Sequence, residues 1–396
     1  MMMEQGGCGM RVCGVIAEYD PFHRGHAYHL AAARERSGAD YVLCVMSGSF
    51  TQRGAPALLP VAARAEMALR NGADVVLLLP YAFSVREAEY FALGGVGVLQ
   101  ALGCVTHMAF GCEEAALPYF GDAAALLEEP DADFQARRTA GLAAGQSFAA
   151  AQGAALCARL GTAENVLNAP NAALAIAYLR ALRRLKCAIE PVPVARQAAY
   201  HSRELSAMPS ATALRGAILR GDWPGVRAAT PDNALPIVRC AVAAGEICPP
   251  EALTPALRQL LLAAAPEALS RLPGMGEGLE MRVAEAAKSA VSREELIYAV
   301  KTRRYTYGRI SRALCHALMG VTKDMLPERP AYTRLLGFRA QAAPLLRAMR
   351  GAEIPVYQRP AREAAMALDI RADELWRVGA GLPRGETYRR APVIVR

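Results

Sequence analysis

Short β-branched runs alternate with amphipathic stretches through the first half of the chain, and this rhythm sets the expected architecture. Apolar runs at Val12–Ala17, Tyr41–Met46, Val75–Leu79, Val105–Phe110 and Ile189–Val194 read as strands. Between them the spacing predicts helices at about His26–Arg36, Val61–Asn71 and Arg86–Leu102, the last interrupted by Gly94-Gly95. Alternation at this spacing implies right-handed βαβ crossovers and a Rossmann-like, doubly wound, mostly parallel α/β sheet. Ligands of such sheets sit beyond the carboxyl ends of the strands. From about Asp222 onward the pattern is almost wholly helical, with Ala/Leu-rich runs broken at Pro249-Pro250, Pro255, Pro266 and Pro273. The expected organisation is a disordered N-terminal extension over residues 1–11, an α/β domain over 12–220 and an all-helical domain over 221–396.

The first strand ends in a polar loop that contains Asp20-Pro21, and a helix begins directly after Gly25. Two histidines stand three apart around that glycine, His23-Arg24-Gly25-His26. The first-turn N–H groups of a helix have no backbone partner, and the helix dipole adds partial positive charge there. Imidazoles donate hydrogen bonds to phosphate oxygens, and Gly25 lets a nucleotide approach the backbone without a Cβ in the way. Phosphate is therefore the expected guest of this turn.

Three further segments follow later strands and should reach the same edge. They are the glycine-bracketed loop Ser47-Gly48-Ser49-Phe50-Thr51-Gln52-Arg53-Gly54, the segment Phe110-Gly111-Cys112-Glu113, and Arg196 followed by the helix start Ser210-Ala211-Thr212-Ala213-Leu214-Arg215. Gly111 would let an adenine or ribose lie close to the backbone.

Charge sharpens the division into halves. The chain carries a net charge of +8, yet residues 201–396 hold 29 Lys and Arg against 19 Asp and Glu, so the basic excess lies in the second half. A polyanion-binding module has this character, and so does an arginine-rich helical unit kept soluble by charge. The densest basic stretch, Lys301–Arg312, interleaves five cations with Tyr305 and Tyr307, as a surface that holds phosphates and stacks a base would. The ten cysteines include no C-x-x-C pair and fall mostly in apolar runs, as reduced core residues do. No segment reaches the ~18 apolar residues of a membrane span. The first residues lack the apolar core of a signal peptide, so a cytoplasmic protein is expected.

With these residues assembled, the chain resembles the tRNA(Met) cytidine acetate ligase family, a bacterial branch of the H-x-G-H nucleotidyltransferase superfamily. The resemblance covers Glu18–His26, Met46–Gly54, Phe110-Gly111, Pro170-Asn171, Ser210–Arg215 and Lys301–Arg312. It implies a two-step ligase. Acetate and ATP give acetyl-adenylate and pyrophosphate, and N4 of the wobble cytidine of elongator tRNA(Met) then takes the acetyl group. It also implies that residues Ile16, Ala17, Glu18, Tyr19, Asp20, Pro21, Phe22, His23, Arg24, Gly25, His26, Ala27, Tyr28 and His29 wrap ATP, with His23 and His26 as the catalytic pair on the phosphates. Gly111, Asn171 and Arg196 would complete the nucleotide site. Ser210, Thr212 and Arg215 match the second phosphate motif, and Ser47, Gly48, Gln52 and Arg53 would form the substrate loop. Lys301, Arg303, Arg304, Tyr305, Tyr307, Arg309 and Arg312 would contact tRNA. Magnesium (Mg2+) is expected to bridge the phosphates, with no residue assigned as its ligand. The chain departs from the family pattern at Asp20 and Arg24, where asparagines are usual, at Ala55 for glutamate, at Val61 for lysine and at Ala172 for asparagine. Read from the residues alone, two other functions stay open: a small-molecule nucleotidyltransferase acting on a phosphorylated acceptor, and a non-catalytic RNA-binding homologue.

Overall fold

The computed structural model describes residues 9–162, 170–195, 210–385 and 387–396. Five strands form the parallel part of the sheet: β1 (Val12–Ala17), β2 (Tyr41–Ser47), β3 (Val75–Leu79), β4 (His107–Cys112) and β5 (Glu190–Ala195). Their order is β5-β4-β1-β2-β3, so the winding reverses between β1 and β4. That is the place where a doubly wound sheet opens a crevice at its carboxyl edge. The crossovers use α1 (Arg24–Ser37), α2 (Val61–Arg70), α3 (Tyr81–Ser84) and α4 (Ala88–Ala101). Between β4 and β5 the chain runs through α5 (Phe120–Glu128), α6 (Ala132–Ala143), α7 (Phe148–Leu160) and α8 (Pro170–Arg184).

Period-2 alternation divides the strand residues between two cores. Val12, Leu43, Val45, Val75 and Leu77 pack with Phe91 and Val96 of α4 and with Ile176 of α8. Cys13, Val42, Cys44 and Val76 pack on the other face with Leu30 of α1 and Leu69 of α2. That second core also takes Leu214, Val226 and Val238, from α9 (Ala211–Arg220), α10 (Trp223–Ala229) and α11 (Leu235–Ala243). Gly94 and Gly95 do not interrupt α4. They let it press on its neighbours, for a Cβ there would stand 2.3 Å from Phe83 and 2.4 Å from Ile16.

The next helices are α12 (Thr254–Ala263), α13 (Pro266–Ser270), α14 (Leu279–Ala286), α15 (Arg293–Val300) and α16 (Tyr307–Met319). They enclose a third core of Leu257, Val283, Ile297, Ile310 and Leu314. The segment 221–396 is not helical throughout. The strand β6 (Thr333–Arg339) returns to the sheet antiparallel to β3, and after α17 (Ala343–Ala348) come β7 (Val356–Tyr357), α18 (Ala367–Gly379) and β8 (Val393–Val395). Both short strands lie parallel to β6. In β6, Leu335 joins one core and Leu336 the other, and a short apolar run buried on both faces carries no periodicity that separates strand from helix. Of the expected N-terminal extension, residues 1–8 lie outside the described residues. Arg11 is already tied into the fold by a 2.8 Å bond from its N–H to the Asp40 carboxylate.

Candidate active site

The turn after β1 is held by the two histidines themselves. His23 is the N-cap of α1: its Nδ1 accepts the Gly25 N–H at 3.1 Å, and His26 Nδ1 accepts the His23 N–H at 3.3 Å. This reciprocal cap satisfies two N–H groups that a helix start otherwise leaves orphaned. The rings lie stacked with centroids 3.7 Å apart. Because each Nδ1 accepts a backbone proton, the neutral rings carry their own proton on Nε2 and are donors through that atom.

These histidines line a cavity of about 410 Å³ at the carboxyl edge of β1, β4 and β5. The same cavity is lined by Ile16, Ala17, Glu18, Tyr19, Asp20, Gly25, Tyr28 and His29, by Gln52 and Arg53, by Gly111 and Asn171, and by Ser210, Thr212 and Arg215. The fold therefore brings together residues from five separate stretches of sequence. Arg196 lies outside the described residues.

Four of the turn residues do not line this cavity. Phe22 and Pro21 are buried, Phe22 in the α1/α2 core against Tyr19 with ring centroids 4.9 Å apart, and Ala27 packs on that core. Arg24 points outward along α10, where its Nε donates to the Ala228 carbonyl at 2.9 Å and its guanidinium lies 3.5 Å from the exposed Asp232. As the first residue of α1 it projects from the cap toward solvent, so an added phosphate contact from Arg24 is not what its position provides.

Asp20 anchors two sides of the cavity. Its Oδ1 accepts the Leu58 N–H at 2.7 Å, and Arg215 reaches its Oδ2 at 3.2 Å and its carbonyl at 2.6 Å. Arg215 also donates to Thr212 at 3.0 Å, and Ser210 caps α9 by accepting the Ala213 N–H at 3.2 Å. Glu18 Oε1 accepts the Gln52 N–H at 2.6 Å and the Ser47 hydroxyl at 3.3 Å, and burial pushes this carboxyl up from its ordinary range.

Three residues without an assigned role in the sequence reading shape the site. Arg64, fully buried on α2, donates to the carbonyls of Glu18, Ser47, Gly48 and Leu59, so it holds the ends of β1 and β2 at a fixed spacing. Glu113 accepts Asn171 Nδ2 at 2.6 Å through Oε1, while its Oε2 is buried with no hydrogen-bond partner among the described residues. Asp373 of α18 accepts the Ser49 hydroxyl and so braces the substrate loop from behind. Nothing in the local sequence of Arg64 signals this, whereas Glu113 closes the Phe110-Gly111-Cys112-Glu113 segment. Val61 and Ala172 are 3% and 0% exposed and sit in the two sheet cores, where an apolar side chain fits without an unpaired polar group.

The basic stretch is more structured than a free surface. Residues 301–306 form a loop and α16 begins at Tyr307, capped by Thr306. Tyr305 is buried, with its hydroxyl donating to the Glu277 carbonyl, so its ring is not presented to a base. Arg304 and Arg309 both pair with Glu277, at 3.3 and 3.2 Å, and Tyr307 donates to Glu294. Lys301 lies 5.9 Å above the Tyr298 ring, Arg303 is exposed, and Arg312 is turned inward. Among the described residues no group of three or more His, Cys, Asp or Glu side chains is placed to hold a metal ion, and no helix is long and apolar enough to cross a membrane.

A HIGH Nucleotidyl Transferase family model matches residues 10–387. The tRNA(Met) cytidine acetate ligase of Acetivibrio thermocellus is 37% identical over 352 residues, which cover 85% of each chain. That of Clostridium kluyveri is 34% identical over 409 residues, covering 98% of this chain and 99% of its own. The crystal structure of Thermotoga maritima TmcAL superposes with a TM-score of 0.91 at 30% identity, covering 98% of this chain and all of that one. A second structure of the same protein, bound with alpha-thio ATP, gives a TM-score of 0.89. The chain belongs to the tRNA(Met) cytidine acetate ligase family of HIGH nucleotidyl transferases.

Proposed function

We propose that the chain acetylates N4 of the wobble cytidine of elongator tRNA(Met), using acetate and ATP. The observation that carries this reading is the reciprocal His23/His26 cap at the head of α1, set in one cavity with Gly111, Asn171 and the Ser210–Arg215 segment. The family relationship supports it, as does the Thermotoga maritima neighbour solved with alpha-thio ATP.

In the first step an acetate oxygen attacks the α-phosphorus of ATP. The bond to the β-phosphate bridging oxygen breaks, and pyrophosphate leaves with the electron pair. Little covalent chemistry is asked of the protein, so positioning and charge neutralisation supply the acceleration. His23 and His26 donate from Nε2 toward phosphate oxygens, and Arg215 with Thr212 and Ser210 faces the leaving pyrophosphate. Gly111 and Asn171 border the nucleoside. In the second step the cytidine N4 attacks the acetyl carbonyl carbon, the carbon–oxygen bond to phosphate breaks, AMP departs and the amine loses a proton. Magnesium would enter with ATP and neutralise phosphate charge. No residue is assigned to it.

The deciding experiment incubates the purified protein with ATP, radiolabelled acetate and bulk tRNA, followed by nucleoside analysis. Labelled N4-acetylcytidine is the expected product. Label that stops at acetyl-adenylate would redirect the second step to another acceptor, and absence of both would remove the ligase reading.

A further inference from the structure

A second cavity, of about 620 Å³, lies beside α16 and plays no part in the ATP chemistry above. It is bounded by the N-terminal end of α4, the loop before α14, the face of α16 and residues 323–328. Four cations line it: Arg86, Arg309, Arg312 and Lys323. Two carboxylates, Glu87 and Glu328, also face it, so positive charge is in excess. His316 adds none, because burial pushes its pKa down to about 3.

The cations are not equally occupied. Arg309 is paired with Glu277 and donates to the Gly274 carbonyl at 2.9 Å, and Lys323 donates to the Ser270 carbonyl at 2.9 Å. Arg86 lies flat over the Tyr90 ring, 3.3 Å from its centroid, with one N–H on the Pro327 carbonyl at 3.2 Å. Arg312 is half-buried with the charge of Glu87 near it, and burial lowers its pKa. A partly buried guanidinium beside other cations is a ready partner for an oxyanion.

The substrate loop is tied to α16, whose Arg309, Arg312 and His316 line the second cavity. Gln52 and Arg53 line the first cavity, and the next residue, Gly54, lies so close to α16 that a Cβ would stand 2.6 Å from the Arg312 backbone. The Ser311 hydroxyl donates to the Arg53 carbonyl, and Arg293 bridges the Gly54 carbonyl at 2.6 Å and Ser311 Oγ at 2.5 Å. A polyanion held on α16 is thereby registered against the loop that lines the first cavity.

We propose that this second cavity binds a backbone phosphate of the acceptor RNA, through Arg312, Arg86 and Lys323. The inference rests on the acceptor being an RNA, as proposed above. It adds Arg86 and Lys323, which lie outside the basic stretch, and places the RNA contact in a cavity rather than along an exposed helix face.

The test measures binding of bulk tRNA to full-length protein across a salt series, for wild type, Arg86→Gln, Lys323→Gln and the double variant. Thermal unfolding checks that each is folded, and ATP–pyrophosphate exchange with acetate reports the first step. Each single variant should weaken tRNA binding about three- to tenfold and lower the slope of log K against log salt by about one, leaving exchange unchanged. Unaltered affinity and slope in the double variant would overturn the proposal. So would a variant-sensitive binding of inorganic phosphate alongside unaltered tRNA binding, since the cavity would then serve a small anion. If the wild type does not bind tRNA at all, the RNA reading of the whole enzyme falls, and that result is distinct from a wild type that binds equally well with and without Arg86 and Lys323.

Discussion

Arg215 closes on Asp20 from the far side of the cavity, donating to its carboxylate at 3.2 Å and to its carbonyl at 2.6 Å. One contact thus fastens the start of α9 to the histidine turn, which are almost two hundred residues apart in sequence. It also places a carboxylate beside the space proposed for a triphosphate. Asp20→Asn keeps an acceptor for the Leu58 N–H and leaves the Arg215 bond to the carbonyl, while removing the charge. We expect the KM for ATP in pyrophosphate exchange to fall several-fold, because Arg215 is released toward phosphate and a repulsive charge is gone. The pair is mostly buried, so stability should drop by about 1 kcal/mol as one charge-assisted bond is lost. A KM that rises would show that the ion pair preorganises Arg215 rather than competing for it.

His26→Ala tests the cap and the chemistry together. The variant leaves the His23 N–H without its 3.3 Å acceptor, a loss of about 1 kcal/mol that lowers the unfolding midpoint modestly. Loss of a positioned donor to a phosphate should cost about 10²–10³ in the rate of pyrophosphate exchange. Binding of tRNA should be nearly unchanged. Exchange that survives within a factor of a few would remove His26 from the adenylylation step.

Glu113 presents a buried carboxylate oxygen with no partner among the described residues, next to the one that accepts from Asn171 at 2.6 Å. A buried acceptor left unmade is expensive, and a ribose hydroxyl or an exocyclic amine of the nucleotide would satisfy it. Glu113→Gln keeps an oxygen for Asn171 and weakens the second acceptor. The expected result is a rise of about tenfold in KM for ATP with a smaller change in kcat, since the contact is to a part of the substrate that does not react. Unchanged KM would leave Glu113 with the single task of orienting Asn171.

The strands of the parallel sheet are legible because each is a compact apolar run between polar turns, and the site is legible because H-x-G-H follows β1. What escaped was set by contacts distant in sequence. Arg64 sits in Val61-Ala62-Ala63-Arg64, where an arginine reads as a solvated helix residue, yet it is 0% exposed because four carbonyls converge on it. Tyr305 and Arg304 read as an exposed basic motif and are instead engaged by Glu277, a residue with no sequence link to them. Arg24 reads as one of the residues that wrap ATP beside the histidines, but the direction of the first helical residue turns it to Ala228. Strand β6 was hidden by having a leucine in each core.

Gly54 is where the substrate loop presses on α16. Its φ of +72° lies in the left-handed region, and its missing Cβ leaves room for the Ser311–Arg312 backbone, which has no flexible end to yield. Gly54→Ala should destabilise the fold by about 2–4 kcal/mol in urea unfolding. In the folded fraction, transfer of the acetyl group to tRNA should fall more than exchange does, because the loop is displaced from α16. Equal losses in both steps would mean that the seam serves the fold alone.

His316 gives the protein an acid-sensitive core. Its Nδ1 lies 3.2 Å from the Tyr81 hydroxyl, and burial, reinforced by Arg312 and Arg86, pushes its pKa down to about 3. In the unfolded chain a histidine titrates near ~6.5. Between these values the unfolded state binds a proton that the folded state refuses, so stability from this group is full above about pH 6.5 and falls by up to about 1.4 kcal/mol per unit toward pH 3. Asp369 works in the opposite sense. Burial raises it to about 6, so the folded state holds its proton longer and stability falls as pH rises through that range. The wild-type profile sums the two, and the informative quantity is the difference from His316→Gln, which keeps a hydrogen-bond partner for Tyr81 and does not titrate. Urea unfolding at pH 7.5, 6.0 and 5.0 should show wild type losing stability faster than the variant as pH falls. Parallel profiles would mean that His316 accepts its proton in the folded state, and the buried neutral ring would have to be abandoned.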